Sequence, residues 1–405
     1  MKVLQINSVC GTGSTGRIAT DIHETLNVKG HESYIAFGRG EAKKSDFTVK
    51  IGDKSNNLRH LIKTRVFDLH GFGSERATNN FIQKVKKIDP DVIHLHNIHG
   101  YYLNVESLFN FLKEIDKPVI WTLHDCWAFT GHCAYFDFAN CDKWKTECSQ
   151  CPETKSYPAS LFFDNSTLNF HKKNQIFNGV KNLTIVTPSI WLADLLKESF
   201  LRNYPVKVIN NGIDLITFMP RKSEFIEEHN LKDKFILLGV ASTWDRRKGY
   251  KYFLEMSKHL NEDEVIILVG LTNEQIKKLP KNIIGINKTN DAKELSEIYS
   301  IANVFVNPTL EDNFPTTNLE ALACGTPVVT FDTGGSIESV DDSTGRVVRK
   351  GDIHELIRTL NKIKNKEIEF DSDSCRRRAE LLYNKDKRYL DYINLYFNRL
   401  SHDIS

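Results

Sequence analysis

The sequence lacks long apolar runs, and none approaches the roughly 20 residues that a membrane-spanning helix requires. Its start, MKVLQINSV, has too short an apolar stretch for a secretory signal and no small-residue cleavage site. Cysteine is also scarce, with 8 in 405 residues, which is too few for a disulfide scaffold. We therefore expect a cytoplasmic protein with reduced thiols, and we leave open a peripheral contact with the inner face of the membrane.

Neither sign of charge dominates. Lys and Arg number 54 and Asp and Glu 52, so the net charge of +2 does not indicate a nucleic-acid-binding protein. Charged residues make up 26% and apolar residues 40%, which is typical of a folded chain and not of a disordered one. A length of 405 residues suits two domains, each with its own core.

Short β-rich apolar runs alternate with amphipathic stretches through most of the chain, which predicts βαβ units and parallel sheets. The runs are Val3–Ile6, Tyr34–Phe37, Val92–Leu95, Val119–Leu123, Thr184–Thr187, Val206–Ile209, Phe235–Val240, Val265–Val269, Val304–Val306 and Pro327–Phe331. Because the alternation begins again near Val206, we predict two Rossmann-like doubly wound α/β domains, residues 1–188 and 189–380. Tyr and Leu at helical spacing predict a helix over residues 381–405.

A glycine loop follows the first predicted strand. Gly11-Thr-Gly13-Ser-Thr-Gly16 matches G-x-G-x-x-G, in which glycines let backbone N–H groups and a helix N-terminus approach a phosphate. A dehydrogenase also needs an acid at the end of the second strand to hold ribose. That strand ends in Gly38-Arg39-Gly40 here, which argues against NAD and keeps Gly13 and Gly16 as phosphate-binding candidates.

The segment from Asn307 to Pro327 combines a strand end, a polar loop and a helix stopped by Gly325. Loops at the carboxyl ends of parallel strands bind ligands, and a helix that starts near Thr316 and Thr317 presents free N–H groups to a diphosphate. Carboxylates on both sides of this turn suit sugar hydroxyls, which charged acceptors bind at roughly 1.5–3 kcal/mol per hydrogen bond.

This segment resembles the signature of the family-4 retaining glycosyltransferases of GT-B fold, E-x7-E, as D-x7-E from Asp312 to Glu320. The resemblance implies that Glu320 holds a ribose and that Asp312 and Asn313 contact the donor hexose. It also implies donor binding by Phe314, Pro315, Thr316 and Thr317. Further likenesses to the family are the segments Ile283–Gly285, Asp291–Asn303, Gly334–Glu338 and Thr344–Val348.

A basic turn, Asp245-Arg246-Arg247-Lys248-Gly249, follows the strand Phe235–Val240. The family places an Arg and a Lys here on the donor diphosphate, because a fixed cation must stabilise the departing group when no metal does so. Lys248 matches the family lysine. Thr243 occupies the usual arginine position, so Arg247 or Arg246 must substitute, and we assign Arg247. A solvated charged loop is the default for such a run elsewhere.

Trp121-Thr-Leu-His124-Asp125 ends a predicted strand and resembles the family's T-x-H-D segment, whose histidine meets the donor sugar. His94 and His96 end the preceding strand and are candidates for the acceptor side. A lone histidine is more often a satisfied structural residue, and we keep that interpretation for His94 and His99.

Cys133, Cys141, Cys148 and Cys151 lie in one loop with spacing C-x7-C-x6-C-x2-C. This spacing suits a closed, structural zinc site, and disulfides or unpaired thiols are the alternatives. The surrounding TLHDCWAFTGHC resembles colanic-acid and related exopolysaccharide glycosyltransferases, so the likeness extends over most of the chain. Asp371-Ser-Asp373 imitates the D-x-D metal motif, but it precedes a predicted helix and we interpret it as a cap.

These observations predict a GT-B enzyme with two domains facing each other across a cleft and a C-terminal helix that crosses back to the first domain. It would transfer a hexose with retention from a nucleotide-sugar donor to a glycan or lipid-linked acceptor, in polysaccharide biosynthesis and without a catalytic metal. Two rivals are a non-catalytic nucleotide-sugar-binding subunit and a nucleotide-sugar epimerase. A dehydrogenase is a third.

Overall fold

The predicted apolar runs of the first half form one parallel sheet in the computed structural model, which describes residues 1–43 and 45–402. Its described strands follow the order β3-β2-β1-β4-β5-β6-β7. Every residue of the central strands β4 and β5 is buried, as expected for a parallel sheet covered on both faces. The strands are β1 (Lys2–Asn7), β2 (Glu32–Phe37), β3 (Thr48–Lys50), β4 (Val92–Leu95), β5 (Val119–Thr122), β6 (Leu183–Thr187) and β7 (Val206–Val208).

Helices connect these strands, and most of them bury apolar side chains; α2 is the exception, since its buried residues are His60 and Thr64. In α4, Leu108, Phe109 and Leu112 recur at helical spacing and are buried, while the side chain of Asn104 caps the first turn by accepting from Ser107 N–H. The helices are α1 (Gly13–Val28), α2 (Lys54–Phe67), α3 (Glu75–Ile88), α4 (Val105–Glu114), α5 (Ser166–Phe177) and α6 (Ile190–Glu198).

The second half repeats this plan. Its described strands are all parallel, in the order β10-β9-β8-β11-β12-β13. They are β8 (Phe235–Val240), β9 (Glu264–Val269), β10 (Ile283–Ile286), β11 (Val304–Asn307), β12 (Val328–Phe331) and β13 (Gly345–Val348). The helices are α7 (Phe225–Glu228), α8 (Tyr250–Met256), α9 (Asn273–Ile276), α10 (Ala292–Ile301), α11 (Thr316–Ala323), α12 (Ile353–Lys364) and α13 (Ser372–Leu382).

The last helix, α14 (Lys385–His402), belongs to the first unit, as predicted. The hydroxyl of Tyr392 accepts from Thr122 Oγ1 at 3.2 Å, and Tyr396 is hydrogen-bonded to His94 Nδ1 at 2.6 Å. Both tyrosine side chains are buried against β4 and β5. The polar tips therefore pair with buried polar groups while the rings fill the core.

The boundary between the units differs from the prediction. The chain divides into Met1–Asn210, joined by the chain from Asp386 onward, and Asn211–Lys385. Residues 189–210 were predicted to open the second domain, but they form α6 and β7, and β7 pairs with β6 in the first sheet. The renewed alternation near Val206 thus marks the last strand of the first sheet.

Two other expectations concern the helices. Asp371 caps α13, with its carboxylate accepting from the N–H groups of Asp373 and Ser374, so the D-x-D segment is a helix cap as predicted. Over residues 1–43 and 45–402, no helix has the length and apolarity needed to cross a bilayer.

Candidate active site

Lys248 and Asp312 form the central ion pair of the candidate site in the second unit. Lys248 Nζ lies 2.5 Å from Asp312 Oδ2, and the two side chains are 21% and 11% exposed. Lys248 ends a short 3-10 turn after β8, and Asp312 lies in the loop after β11, which is the neighbouring strand. The two predicted residues are therefore brought together at the carboxyl edge of the sheet, where parallel α/β sheets bind ligands.

Backbone contacts fix these two loops to each other. Arg247 Nη1 donates to the carbonyl of Glu311 at 3.0 Å, and the N–H of Leu310 donates to the carbonyl of Arg247 at 2.8 Å. Gly249 follows with φ +77°, and a Cβ there would lie 2.1 Å from the carbonyl oxygen of Pro308. Only glycine fits this close crossing, so the cations and the acidic loop are held as one unit.

Helix α11 begins directly after the acidic loop. Thr316 and Thr317 are its first residues, and Pro315 precedes them without a side-chain cap. Uncapped N–H groups and the positive end of the helix dipole favour an anion at this end. The position agrees with the predicted diphosphate contact.

Glu320 lies one turn into α11 and is 2% exposed. The hydroxyl of Tyr299 on α10 donates to Glu320 Oε2 at 3.0 Å, which helps to fix the carboxylate. A buried carboxylate held in this way is oriented before any ligand arrives. Asn313 and Phe314 are also buried, between Asp312 and this helix.

Two asparagines that the sequence analysis did not select support this segment. Asn211 Nδ2 donates to the carbonyl of Phe314 at 3.1 Å. Asn318 accepts from Asn307 Nδ2 at 2.7 Å and donates to Ser339 Oγ at 2.8 Å, and its side chain is fully buried. Asn318 lies within the segment from Asn307 to Pro327, so a polar residue at a buried position of its helix was a usable signal. Nothing near Asn211 in the sequence points to Phe314.

In the first unit, the glycine loop opens α1 as predicted. Gly13 has φ +65°, which favours glycine, and a Cβ there would meet no atom within 4 Å, so packing does not account for this glycine. Gly16 is different, because a Cβ there would lie 3.1 Å from Val9 Cγ2. The Gly16 carbonyl also accepts from the N–H of Gly11, so packing of the turn accounts for this glycine.

His124 follows β5 and belongs to a hydrogen-bonded chain. Gln5 Nε2 donates to the carbonyl of Ala19, which leaves Gln5 Oε1 to accept from His96 Nε2–H at 3.1 Å. A neutral imidazole has one N–H, so His96 Nδ1 accepts from His124 Nε2–H at 3.2 Å. Burial lowers the pKa of His124 to about 4. The imidazole is therefore neutral at pH 7 and keeps Nδ1 as an acceptor.

The neighbouring histidines are satisfied by protein groups, which agrees with the structural interpretation of His94 and His99. His94 bonds to Thr122 and Tyr396, and His99 bonds to Asp125 at 2.9 Å and to Tyr157 at 3.0 Å. Burial alone would raise the pKa of Asp125, but its interactions with His99, with the N–H of Trp127 and with His124 together outweigh burial and lower it. Asp125, next to His124, is thus an ionised and oriented carboxylate that the sequence analysis did not select.

The four loop cysteines line one cavity of about 10 Å³, together with Phe136 and Trp144. That volume suits a single water-sized guest. None of these four cysteines forms a disulfide. A hydrogen bond between Cys133 and Cys151 lowers the pKa of Cys151 to about 7. Across the described residues, no group of three or more His, Cys, Asp or Glu side chains is arranged to hold a metal ion. The residue types fit zinc, their present orientations do not, and the zinc site stays a prediction.

This chain has two Rossmann-like units, and one of them holds cations and a carboxylate together at its ligand-binding edge. These features are those of the GT-B class of α/β proteins. Sucrose-phosphate synthase from Thermosynechococcus elongatus has this fold, with a TM-score of 0.74 at 16% identity over 99% of this chain and 100% of that one. The GT-B fold predicted from the sequence is therefore confirmed.

The family follows from the sequence comparisons. The model "Glycosyltransferase Family 4" matches residues 15–216, and "Glycosyl transferases group 1" matches residues 221–382. The chain belongs to the family-4 glycosyltransferases, and it is a glycosyltransferase of glycan or polysaccharide biosynthesis.

Two curated relatives indicate the range of the likeness. The "putative colanic acid biosynthesis glycosyl transferase WcaC" of Escherichia coli K12 is 24% identical over 98% of this chain and 100% of its own length. The "UDP-Gal:alpha-D-GlcNAc-diphosphoundecaprenol alpha-1,3-galactosyltransferase" of Escherichia coli is 27% identical over 50% of this chain and 57% of its own. The resemblance to exopolysaccharide glycosyltransferases is thus confirmed.

Proposed function

We propose that the protein transfers a hexose, with retention, from a nucleoside-diphosphate sugar to a hydroxyl group of a glycan or lipid-linked acceptor, and that the transfer needs no metal. One observation supports the proposal most directly: Lys248 Nζ lies 2.5 Å from Asp312 Oδ2. Asp312 belongs to the loop that leads into α11, whose first turn has no side-chain cap. Cation, carboxylate and helix N-terminus are the groups that a diphosphate and a sugar require.

The leaving group determines the chemistry. When the bond between the anomeric carbon and the diphosphate oxygen breaks, its electron pair stays on the diphosphate and negative charge grows there. Lys248, Arg247 and the first N–H groups of α11 would stabilise this charge, and fixed donors do so without reorganisation. The acceptor hydroxyl then attacks the oxocarbenium-like carbon from the same face and gives its proton to the departing diphosphate oxygen, so the configuration is retained.

The carboxylates would select the donor. Asp312 and Asn313 would accept from and donate to hexose hydroxyls, and Glu320 would hold the two ribose hydroxyls. Glu320 is already oriented by Tyr299. The roles predicted for Gly13, Gly16 and His124 in the first unit stay predictions.

The acceptor proposal is supported by a relative whose name describes a diphosphoundecaprenol-linked sugar as its acceptor and UDP-Gal as its donor. A lipid-linked acceptor would require the enzyme to work at a membrane surface. The cytoplasmic location expected from the sequence stays a prediction.

A thermal-shift screen with UDP- and GDP-sugars tests the proposed donor class. A ligand that binds the folded state stabilises it by about 2.7 kcal/mol at a hundred times its Kd, so one class of donor should raise the melting temperature. Slow hydrolysis of that donor without acceptor would indicate catalysis, while tight binding without any turnover would favour the non-catalytic subunit. Stabilisation by NAD and by no nucleotide sugar would contradict the proposal.

A further inference from the structure

Gln5 is a polar side chain in the middle of an otherwise apolar strand of the first sheet. It lies in β1 between Leu4 and Ile6, is 0% exposed, and is aligned with Ile35 of β2 and His94 of β4. A buried amide destabilises the fold unless both of its ends are hydrogen-bonded, so an apolar side chain would be the ordinary choice here. The hydrogen bonds of Gln5 therefore indicate its role.

The carbonyl of Ala19 on α1 fixes the orientation of the Gln5 amide. A backbone carbonyl only accepts, so the end of Gln5 that lies 3.0 Å from it is the NH2 group. The opposite end, Oε1, is then an acceptor, and it lies 3.1 Å from Nε2 of His96. His96 must carry a proton on Nε2 for this bond to form.

His96 passes this orientation on to His124. Burial lowers the pKa of both imidazoles, so each ring is neutral at pH 7 and carries one N–H. With its proton on Nε2, His96 has Nδ1 as an acceptor, which lies 3.2 Å from Nε2 of His124. The proton of His124 is therefore also on Nε2, and its Nδ1 is an acceptor.

Both ring nitrogens of His96 are thus engaged by protein groups, and the residue is 1% exposed. The sequence analysis kept His96 as a candidate for the acceptor side, and this placement does not support such a contact. We propose instead that Gln5 and His96 are positioning residues, which hold His124 in the tautomer that offers Nδ1 as an acceptor to a hydroxyl group of the donor sugar.

The advantage of this chain is preorganisation. An imidazole with one fixed tautomer need not exchange its proton when the donor binds, so the hydrogen bond to the sugar forms without rearrangement. This inference rests on the proposed transfer reaction and on the donor contact predicted for His124.

The tautomer of His124 can be measured in the full chain without donor or acceptor. Nitrogen-15 NMR of histidine-labelled protein distinguishes a protonated from an unprotonated ring nitrogen, and the signals of His124 are those lost in His124→Gln. At pH 7 we expect a protonated Nε2 and an unprotonated Nδ1. Gln5→Met removes the acceptor at similar size, so the proton of His96 should move to its Nδ1, and that of His124 should then move to its own Nδ1.

Kinetics test the consequence for the donor. Gln5→Met should raise the donor KM about fivefold with a smaller change in kcat, which is the loss expected for one neutral hydrogen bond. Thr184→Val is the matched control, because Thr184 is buried in the same sheet and its hydroxyl has no hydrogen-bond partner among the described residues. It should leave the tautomer and the donor KM unchanged.

A protonated Nδ1 on His124 in the unaltered chain would overturn the proposal, and this spectrum decides even if Gln5→Met fails to fold. A folded Gln5→Met enzyme with the unaltered tautomer or the unaltered donor KM would overturn it as well. An equal rise of KM in Thr184→Val would assign the effect to packing and have the same result. Failure of the proposed transfer would be seen separately, as the absence of turnover by the unaltered enzyme.

Discussion

At the scale of single residues, the candidate site depends on charges that the protein orients before a ligand binds. Glu320 is buried in α11 and accepts from Tyr299, and Lys248 is fixed by Asp312. Side chains ordered in this way lose little freedom when they bind, so their hydrogen bonds contribute most of their energy to affinity.

Glu320→Gln tests the ribose contact. Glutamine keeps the size of the side chain and an acceptor for the Tyr299 hydroxyl, but it replaces charged hydrogen bonds with neutral ones that are weaker by roughly 1–1.5 kcal/mol. We expect the donor KM to rise about tenfold with a smaller change in kcat. Glu297→Gln, on the same helix as Tyr299, is the control and should behave like the unaltered enzyme. An unchanged KM in Glu320→Gln would remove Glu320 from the donor site.

The placement of residues that are close in sequence could be predicted, because one loop and one helix hold them together, while their donor-binding roles stay predictions. Asp312, Asn313, Thr316 and Glu320 needed only the strand–loop–helix pattern and its resemblance to a known signature. Asn211 could not be predicted, since its bond to the Phe314 carbonyl depends on how distant segments pack. Asp125 could have been selected from its place beside His124, but only its bond to His99 shows that it is oriented.

At the scale of elements, the crossing of two loops at Gly249 fixes the site. Gly249→Ala should destabilise the fold by about 1 kcal/mol through its positive φ and by roughly 1–3 kcal/mol more through the clash with Pro308. Gly30→Ala is the matched control, because Gly30 has the same φ of +77° and no atom within 4 Å of an added Cβ. Urea unfolding measures both variants. Equal losses would show that the crossing contributes nothing beyond backbone strain.

The loop with the four cysteines is a second element, and its predicted zinc site can be tested. Cys133, Cys141, Cys148 and Cys151 line one cavity, and four thiolates are a ligand set that structural zinc accepts. We expect about one zinc per chain in protein purified without chelator, and loss of zinc with a lower melting temperature in Cys148→Ser. Cys10→Ser, outside the loop, should keep the metal. Metal-free protein with all four thiols reactive would contradict a zinc site.

Elements also show where sequence reasoning ends. The strands β4 and β8 coincide with the predicted runs, since buried parallel strands are nearly continuous apolar segments. The short strand β7 was assigned to the wrong domain, because three residues do not specify which sheet they join. The boundary at residue 210 follows from that pairing and from no local feature of the sequence.

At the scale of the whole molecule, buried neutral histidines link stability to pH. The folded-state pKa values of His60, His70, His94, His96 and His124 are all lowered by burial. The unfolded chain therefore takes up protons first, and stability falls as the pH drops below about 6.5. Burial alone would lower the pKa of His132, but its bond to Asp68 raises it, so His132 acts in the opposite sense.

The five histidines whose folded-state pKa is lowered outnumber His132, so we expect the melting temperature to fall as the pH drops from 7 to 5. His60, with a pKa of about 3, alone accounts for about 2 kcal/mol over this range. Differential scanning calorimetry measures the effect. A melting temperature that stays constant or rises on acidification would show that these histidines are protonated in the folded protein.

The central claim is that a fixed cation in the second unit stabilises a departing nucleoside diphosphate. The most direct test is the kcat for transfer, or for donor hydrolysis, of Lys248→Ala beside Lys251→Ala, an exposed lysine of α8. We predict that Lys248→Ala lowers kcat by on the order of 10²–10³ with an unchanged fold, while Lys251→Ala stays near the unaltered enzyme. Turnover near that of the unaltered enzyme in Lys248→Ala would contradict the account.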